Sequence, residues 1–176
     1  INSSSSALCN KCYTSLKFEL IHLILSHSKT KLNNTHNSIK MKIEQIYTGC
    51  LAQGAYYVIS GNEAFIIDPL REIQPYLDRI SADGVKLKYI FETHFHADFV
   101  SGHLDLSKHT GAPIVYGPTA KTEFDAIIAE DSQLFEIGDV KIKVLHTPGH
   151  TMESTTDLLI NEEGKEEAIF SGDTLF

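Results

Sequence analysis

Apolar residues recur from residue 41 onward at spacings that predict short strands joined by turns and helices. The apolar runs at residues 54–60 and 63–68 lie on either side of Gly61-Asn62, a pair that favours a two-residue hairpin turn. Residues 141–144 alternate between lysine and aliphatic side chains, which is typical of a half-buried strand. Further strands are predicted at residues 41–47, 87–91, 113–116 and 168–170.

Three segments between these strands have the pattern of helices. Residues 71–83 predict a helix with Pro75 in its first turn and Gly84 at its end. Residues 98–109, followed by a stop at Gly111, predict a second helix, and residues 119–130 predict a third. Antiparallel hairpins followed by alternating helices and strands predict an α/β fold, with helices packed outside paired sheets.

The first forty residues do not resemble the rest of the chain. They are rich in Ser, Asn, Lys and Thr and carry a net charge of +4, against −12 for residues 41–176. We interpret residues 1–40 as a disordered leader or translated upstream sequence, with Met41 as the true start and 41–176 as the domain. The alternative is a targeting peptide, although the absence of arginine argues against a mitochondrial one and interrupting polar residues argue against a secretory one.

Composition and charge limit the partners and the cellular compartments that are expected for this chain. The formal charge of −8 argues against a nucleic-acid partner, and no stretch is long and apolar enough to span a bilayer. Three cysteines do not indicate a disulfide framework, so a cytoplasmic location is expected, or a mitochondrial one if residues 1–40 are a presequence. Cys9 and Cys12 could form half a zinc site or a redox pair, and Cys50 is predicted to be a small buried thiol.

Candidate metal ligands follow three of the predicted strands. His94 and His96 come directly after residues 87–91, in a His-x-His-x-Asp stretch that ends at Asp98. His150 follows the turn after residues 141–144, and Asp173 follows residues 168–170. Imidazole and carboxylate groups at the carboxyl ends of strands suit a transition metal, and three such coincidences predict one metal site.

The motifs Thr-His-x-His-x-Asp, Pro-Gly-His-Thr and Ser-Gly-Asp-Thr resemble those of the metallo-β-lactamase superfamily over residues 41–176. The resemblance implies a metallo-β-lactamase-like αββα sandwich. Relatives normally continue beyond the last motif, so the sandwich is expected to be incomplete at the C-terminus. The superfamily hosts several reactions on one scaffold, and the motifs alone do not select among them.

Residues 95–104, with support from 48–57 and 152–154, look most like the bacterial persulfide dioxygenases that are often fused to rhodanese domains. That resemblance implies one Fe(II) per chain, held by His94, His150 and Asp173 as a facial triad. Relatives with two zinc ions carry a histidine directly after the motif aspartate, where this chain has Phe99. Since a phenyl ring cannot coordinate, one metal is expected.

The resemblance therefore implies an enzyme that oxidises a glutathione-type persulfide with O2 to sulfite and thiol. A homodimer is the expected assembly, if any, although the sequence does not give the oligomeric state. The alternatives are a zinc-dependent hydrolase of the hydroxyacylglutathione type, in which the metal activates water, and an inactive fragment of a longer protein. In dinuclear relatives His96 binds metal, whereas in the iron enzymes it is expected near the pocket. Asp98 is expected to orient a ligand or the loop, Asp68 to be structural, His103 to be packed, and His146 to lie in the core or near the site.

Overall fold

The computed structural model of the chain describes residues 41–175, so the predictions for residues 1–40, including those for Cys9 and Cys12, lie outside the described part. Two sheets form its framework. The first has six strands in the order β1 to β6, and the second has four in the order β10-β9-β8-β7.

The first sheet combines antiparallel hairpins with parallel crossovers. Its strands are β1 (Lys42–Thr48), β2 (Gln53–Ser60), β3 (Glu63–Ile67), β4 (Lys86–Phe91), β5 (Ile114–Tyr116) and β6 (Ile127–Ile128). The predicted hairpin is confirmed, because β2 and β3 pair from Ser60–Glu63 onward and Gly61 takes the left-handed conformation that this turn needs. Strands β3, β4, β5 and β6 run parallel, so their carboxyl ends meet at one edge of the sheet.

The second sheet is antiparallel throughout. Its strands are β7 (Leu134–Ile137), β8 (Val140–His146), β9 (Thr155–Ile160) and β10 (Glu166–Phe170). The predicted alternation in β8 is confirmed, since Ile142 and Val144 are buried while Lys141 is exposed. A short 3-10 turn, Gly172–Thr174, follows β10.

Helices α1 (Gln74–Asp83) and α2 (His103–Thr110) cover one face of the first sheet. Tyr76 and Leu106 bring these helices into a core with inward residues of β2 to β5. The opposite face of the first sheet packs on the second sheet through another core, which includes Phe65, Phe91 and Leu159. The described layers are therefore helix, sheet and sheet, which agrees with the predicted α/β metallo-β-lactamase-like fold. Neither helix of the described part has the length and apolar character of a membrane-spanning helix.

Two sequence-based predictions are wrong. Residues 119–130 form no helix, because Ile127 and Ile128 pair with β5 and Thr119 takes a left-handed backbone conformation with φ of 71°. The Thr122 hydroxyl also bonds the carbonyl of Phe124, which competes with helical hydrogen bonds. Cys50, predicted to be buried, is an exposed free thiol in the turn after β1.

Candidate metal centre

The three ligands expected from the sequence lie together at one end of the two sheets. One potential ligand atom from each of His94, His150 and Asp173 lies within 4.8 Å of the others. The rings of His94 and His150 are 4.8 Å apart and perpendicular, and His150 Nε2 lies 3.9 Å from Asp173 Oδ2. His94 is buried, whereas His150 and Asp173 are partly exposed, so the site opens to solvent on one side.

Each ligand is delivered by a different connection. His94 follows β4 in the first sheet, His150 lies between β8 and β9, and Asp173 lies in the 3-10 turn after β10. The first sheet therefore supplies one ligand and the second sheet supplies two. Gly172 makes this approach possible: a Cβ at this position would lie 2.3 Å from Thr93 Oγ1, and its φ of +51° is one that residues with a side chain rarely adopt.

Hydrogen bonds to Asp68 determine which nitrogen of His94 can bind a metal. Asp68 accepts bonds from the Thr93 amide at 2.8 Å and from the Thr93 hydroxyl at 2.7 Å. Because that hydroxyl donates its only proton to Asp68, it can only accept from His94 Nδ1, which lies 3.0 Å away. The proton of neutral His94 is then on Nδ1, and the lone pair of Nε2 is available as a ligand.

The donor set fits a transition metal. Two imidazoles and one carboxylate are ligands that zinc and iron both accept, and three protein ligands leave room for water or substrate. Burial lowers the pKa of His94, and the neighbouring His96 lowers it further, which favours the neutral, ligating imidazole. The prediction for Asp68 is confirmed, because it is buried and holds the residue before His94.

The loops that carry His94 and His150 are tied to each other. The Phe95 amide donates to Glu153 Oε1 at 3.0 Å, and the Thr155 amide donates to the Thr93 carbonyl at 2.8 Å. Burial alone raises the pKa of Glu153, but the Phe95 amide and the Thr151 hydroxyl hold it below its usual range. An ionised Glu153 therefore links the two loops by a charge-assisted hydrogen bond.

His96 and Asp98 do not join His94, His150 and Asp173. The His96 ring contacts those of His94 and Phe99 in tilted arrangements, with centroids 4.1 and 4.2 Å apart, and its Nε2 lies 3.1 Å from Asp68 Oδ1. Asp98 is exposed, and within the described part of the chain it lies outside the candidate metal centre. His103 is packed as expected, against Phe124 and Tyr116, and His146 Nε2 lies 2.9 Å from the Met152 carbonyl.

Sequence reasoning did not assign roles to Thr93, Glu92 or Glu153. Thr93 and Glu92 stand directly before the histidine motif, and Glu153 comes three residues after His150. Their positions next to the motifs could have identified them as residues of the site. Asp68, the partner of Thr93, is 25 residues away along the chain, and Phe95, the partner of Glu153, is 58 residues away, so these pairs become neighbours only in the folded sandwich.

Known proteins with similar sequences indicate the family of the chain. The family model of the metallo-β-lactamase superfamily matches residues 48–176. A hydroxyacylglutathione hydrolase from Pelagibacter ubique (strain HTCC1062) is 32% identical over 132 residues, which make up 72% of this chain and 53% of that protein. Other curated relatives, 30% to 34% identical, are described as hydroxyacylglutathione hydrolases or probable ones. The chain spans about half the length of the curated relatives it matches.

Solved structures show the same fold. A metallo-β-lactamase from Staphylococcus aureus subsp. aureus COL aligns with a TM-score of 0.70 and 32% identity over 77% of this chain and 44% of that chain. ETHE1 from Myxococcus xanthus aligns with a TM-score of 0.63 and 25% identity over 67% of this chain and 53% of that chain.

The expectation of a persulfide dioxygenase is wrong, because the curated relatives are described as hydroxyacylglutathione hydrolases and the likeness to ETHE1 is one of structure. The expectation of a single iron ion depended on Phe99. Its phenyl ring removes a ligand for a second metal, but it does not choose between hydrolysis and oxygen chemistry.

The motifs, the two-sheet architecture and the family match agree over most of the described residues. This superfamily consists of metal-dependent enzymes. The chain belongs to the metallo-β-lactamase superfamily.

Proposed function

We propose that this chain carries the metal-binding domain of a zinc-dependent thioester hydrolase of the hydroxyacylglutathione hydrolase type. The observation that carries the proposal is the convergence of His94, His150 and Asp173, in a chain whose curated relatives are described as such hydrolases. The overall reaction adds water across the bond between an acyl carbon and sulfur, and it releases a carboxylic acid and a thiol.

His94, His150 and Asp173 would hold the zinc. A bound zinc ion lowers the pKa of a coordinated water to about 7 and polarises a carbonyl group. Neutral His94 offers Nε2 from the buried side, where the Thr93 hydroxyl fixes its ring. Asp173 contributes the negative charge, and its half-exposed carboxylate lies beside His150 at the open side.

The surroundings of the open side suit a thioester with an apolar portion. Phe95, Met152 and Leu175 are exposed by 38%, 72% and 53%, and each lies within two residues of one of the three ligands. Exposed apolar side chains next to metal ligands suit contact with the apolar part of a substrate. They would cover the acyl and thioether carbons while the carbonyl faces the metal centre.

The test uses the chain as it is, freed of metal with a chelator and reloaded with zinc. S-lactoylglutathione is supplied, and released thiol is followed with a chromogenic thiol reagent, with and without oxygen. We expect zinc-dependent thiol release at the same rate in both atmospheres. Asp173→Asn should lower kcat/KM by more than about 100-fold, because a neutral amide replaces the anionic ligand.

Asp125→Asn is the matched control, since Asp125 is exposed and lies outside the candidate metal centre. It should retain the rate of the unmodified chain. Absence of thiol release from a chain with stoichiometric zinc would contradict the proposal, and so would an unchanged rate in Asp173→Asn.

A further inference from the structure

Glu153 contacts the chain next to two of the candidate ligands, His94 and His150. It lies three residues after His150 and is 8% exposed. Its Oε1 accepts the amide of Phe95, the residue directly after His94, at 3.0 Å. The same carboxylate accepts the hydroxyl of Thr151, the residue directly after His150. One buried side chain therefore holds the neighbours of two ligands that come from different sheets.

The bond to Phe95 determines how the backbone presents His94. Because a peptide unit is planar, a bond to the Phe95 amide also fixes the plane in which the His94 carbonyl lies. The ring of His94 is held separately, through the Thr93 hydroxyl at Nδ1. Glu153 therefore acts on the backbone that carries His94, while Thr93 acts on its ring.

A connected set of bonds holds the peptide unit that follows His150. The Thr151 amide donates to Ser154 Oγ at 3.0 Å, and the hydroxyl oxygens of these two residues are 2.7 Å apart. Because Thr151 donates its only hydroxyl proton to Glu153, the proton in the 2.7 Å contact comes from Ser154. The Thr147 amide donates to the Ser154 carbonyl at 2.9 Å, which closes the loop around His150.

We propose that Glu153 is a positioning residue of the metal centre and sets the separation of His94 and His150. It does so by holding the residue after each histidine on one carboxylate. The two imidazole rings lie 4.8 Å apart and perpendicular to each other. Replacing partners of this kind, which contact the surroundings of the ligands, typically weakens metal binding by about 10- to 100-fold. The inference rests on the metal centre of the proposed function, but it does not depend on the reaction that takes place there.

Two simpler roles for Glu153 give different experimental results. A carboxylate that only stabilises the fold would leave the zinc affinity of the folded chain unchanged when it is replaced. A carboxylate that acts only through its negative charge would be replaceable by any acid. Glu153→Asp keeps the charge but is one methylene shorter, so it cannot keep both bonds with the loops in place. Thr151→Val keeps the shape and the charge and removes only the hydroxyl.

The test measures zinc affinity and does not measure hydrolysis. The chain is freed of metal and titrated with zinc in competition with a chromogenic chelator. We expect Glu153→Gln, Glu153→Asp and Thr151→Val each to raise the Kd for zinc by about 10-fold or more. Thr151→Ser, which restores the hydroxyl, should have the affinity of the unmodified chain. Combining Glu153→Gln with Thr151→Val should raise the Kd no further than Glu153→Gln alone, because both changes remove the same link.

Glu63→Gln is the matched control. Glu63 also joins the two sheets through a backbone amide, since its Oε2 accepts from Gly138 at 2.7 Å. It lies at the start of β3, whereas the metal centre lies beyond the carboxyl ends of β3 and β4. Glu63→Gln should therefore leave the Kd for zinc unchanged.

Circular dichroism of the metal-free variants verifies the fold. Because Glu153 is buried and its replacement could prevent folding, changes at the partly exposed Thr151 provide an independent test. Unchanged zinc affinity in folded Glu153→Gln, Glu153→Asp or Thr151→Val would overturn the proposal. An equal loss of affinity in Glu63→Gln would do the same, because it would show a general effect of loosening the sheets. An unmodified chain that binds zinc but releases no thiol would contradict the proposed hydrolase alone.

Discussion

The ionisation of the Asp157 side chain opposes folding. It lies in β9, is 1% exposed, and neither carboxyl oxygen has a hydrogen-bond partner. Burial raises the pKa of Asp157 well above its usual range, and the negative charge of Asp68 raises it further. In the folded chain the neutral acid is therefore favoured over the carboxylate.

This pKa shift gives the stability a direction with pH. The unfolded chain loses the Asp157 proton near pH 4, whereas the folded chain retains it to higher pH. The contribution of Asp157 is therefore fully present below pH 4 and declines as pH rises toward the folded pKa. Asp157→Asn cannot ionise, so its free energy of unfolding relative to the unmodified chain should increase by about 1.4 kcal/mol for each pH unit in this range.

Urea unfolding at pH 5 and pH 7 measures this difference. Asp125→Asn, at an exposed position, should follow the pH profile of the unmodified chain. Parallel profiles for Asp157→Asn and the unmodified chain would show that Asp157 ionises as readily in the folded state as in the unfolded one.

For single residues, the sequence indicates the candidate metal ligands more readily than the residues that position them. His94, His150 and Asp173 stand in motifs that can be recognised without a structure. The bond from Thr93 to Asp68 and the bond from Phe95 to Glu153 have no local pattern, because each joins residues brought together by sheet packing. The carboxyl group of Asp157 likewise has no sequence pattern that shows it to be buried and unpartnered in the folded chain.

Among the elements, α2 depends on a close contact at the residue that precedes it. Gly102 precedes α2, and its amide donates to the Pro69 carbonyl at 2.9 Å. A Cβ at this position would lie 2.3 Å from the Leu70 carbonyl oxygen and 2.9 Å from Ile73 Cγ2. The start of α2 is therefore fixed against the segment that leads from β3 to α1.

Gly102→Ala should lower the free energy of unfolding by about 1–3 kcal/mol, because the added methyl group forces the backbone of α2 away from Leu70. Gly49→Ala is the control, since a Cβ there would meet only Tyr47 Cε1, at 3.9 Å. Chemical denaturation of both variants measures the effect. Equal stability of the two would mean that α2 can move without cost.

The predictions for elements succeeded where local chemistry and packing agree. The turn at Gly61-Asn62 and the ends of both helices at Gly84 and Gly111 follow from glycine in left-handed conformations. The prediction of a helix at residues 119–130 is wrong because the pairing of β6 with β5 outweighs a weak helical preference. The exact start of α2, five residues later than predicted, reflects the loop that carries the ligands.

At the scale of the whole molecule, the candidate metal centre lies where the two described sheets meet. His94 comes from the first sheet, while His150 and Asp173 come from the second. A cation held by all three binds only when the sheets are packed, so it stabilises the folded state by about 2.7 kcal/mol at a free concentration one hundred times Kd.

Zinc should therefore raise the Tm of the chain, and Asp173→Asn should remove most of that increase. Thermal unfolding with zinc and with magnesium provides the measurement, because magnesium prefers oxygen ligands and should have little effect. If removing bound zinc with a chelator left the Tm unchanged, the site could not be linking the sheets.

The bond from the Thr155 amide to the Thr93 carbonyl also bears on the order of folding. A side-chain bond between the same two residues spans a separation of 62 positions, whereas the hairpin of β2 and β3 closes over two residues. Contacts between distant positions carry a larger entropic cost of loop closure, so they form late and slow the search. The hairpins can form early from local contacts, but the ligands meet only after the last long loop has closed. Metal binding is therefore expected to follow the packing of the two sheets during folding.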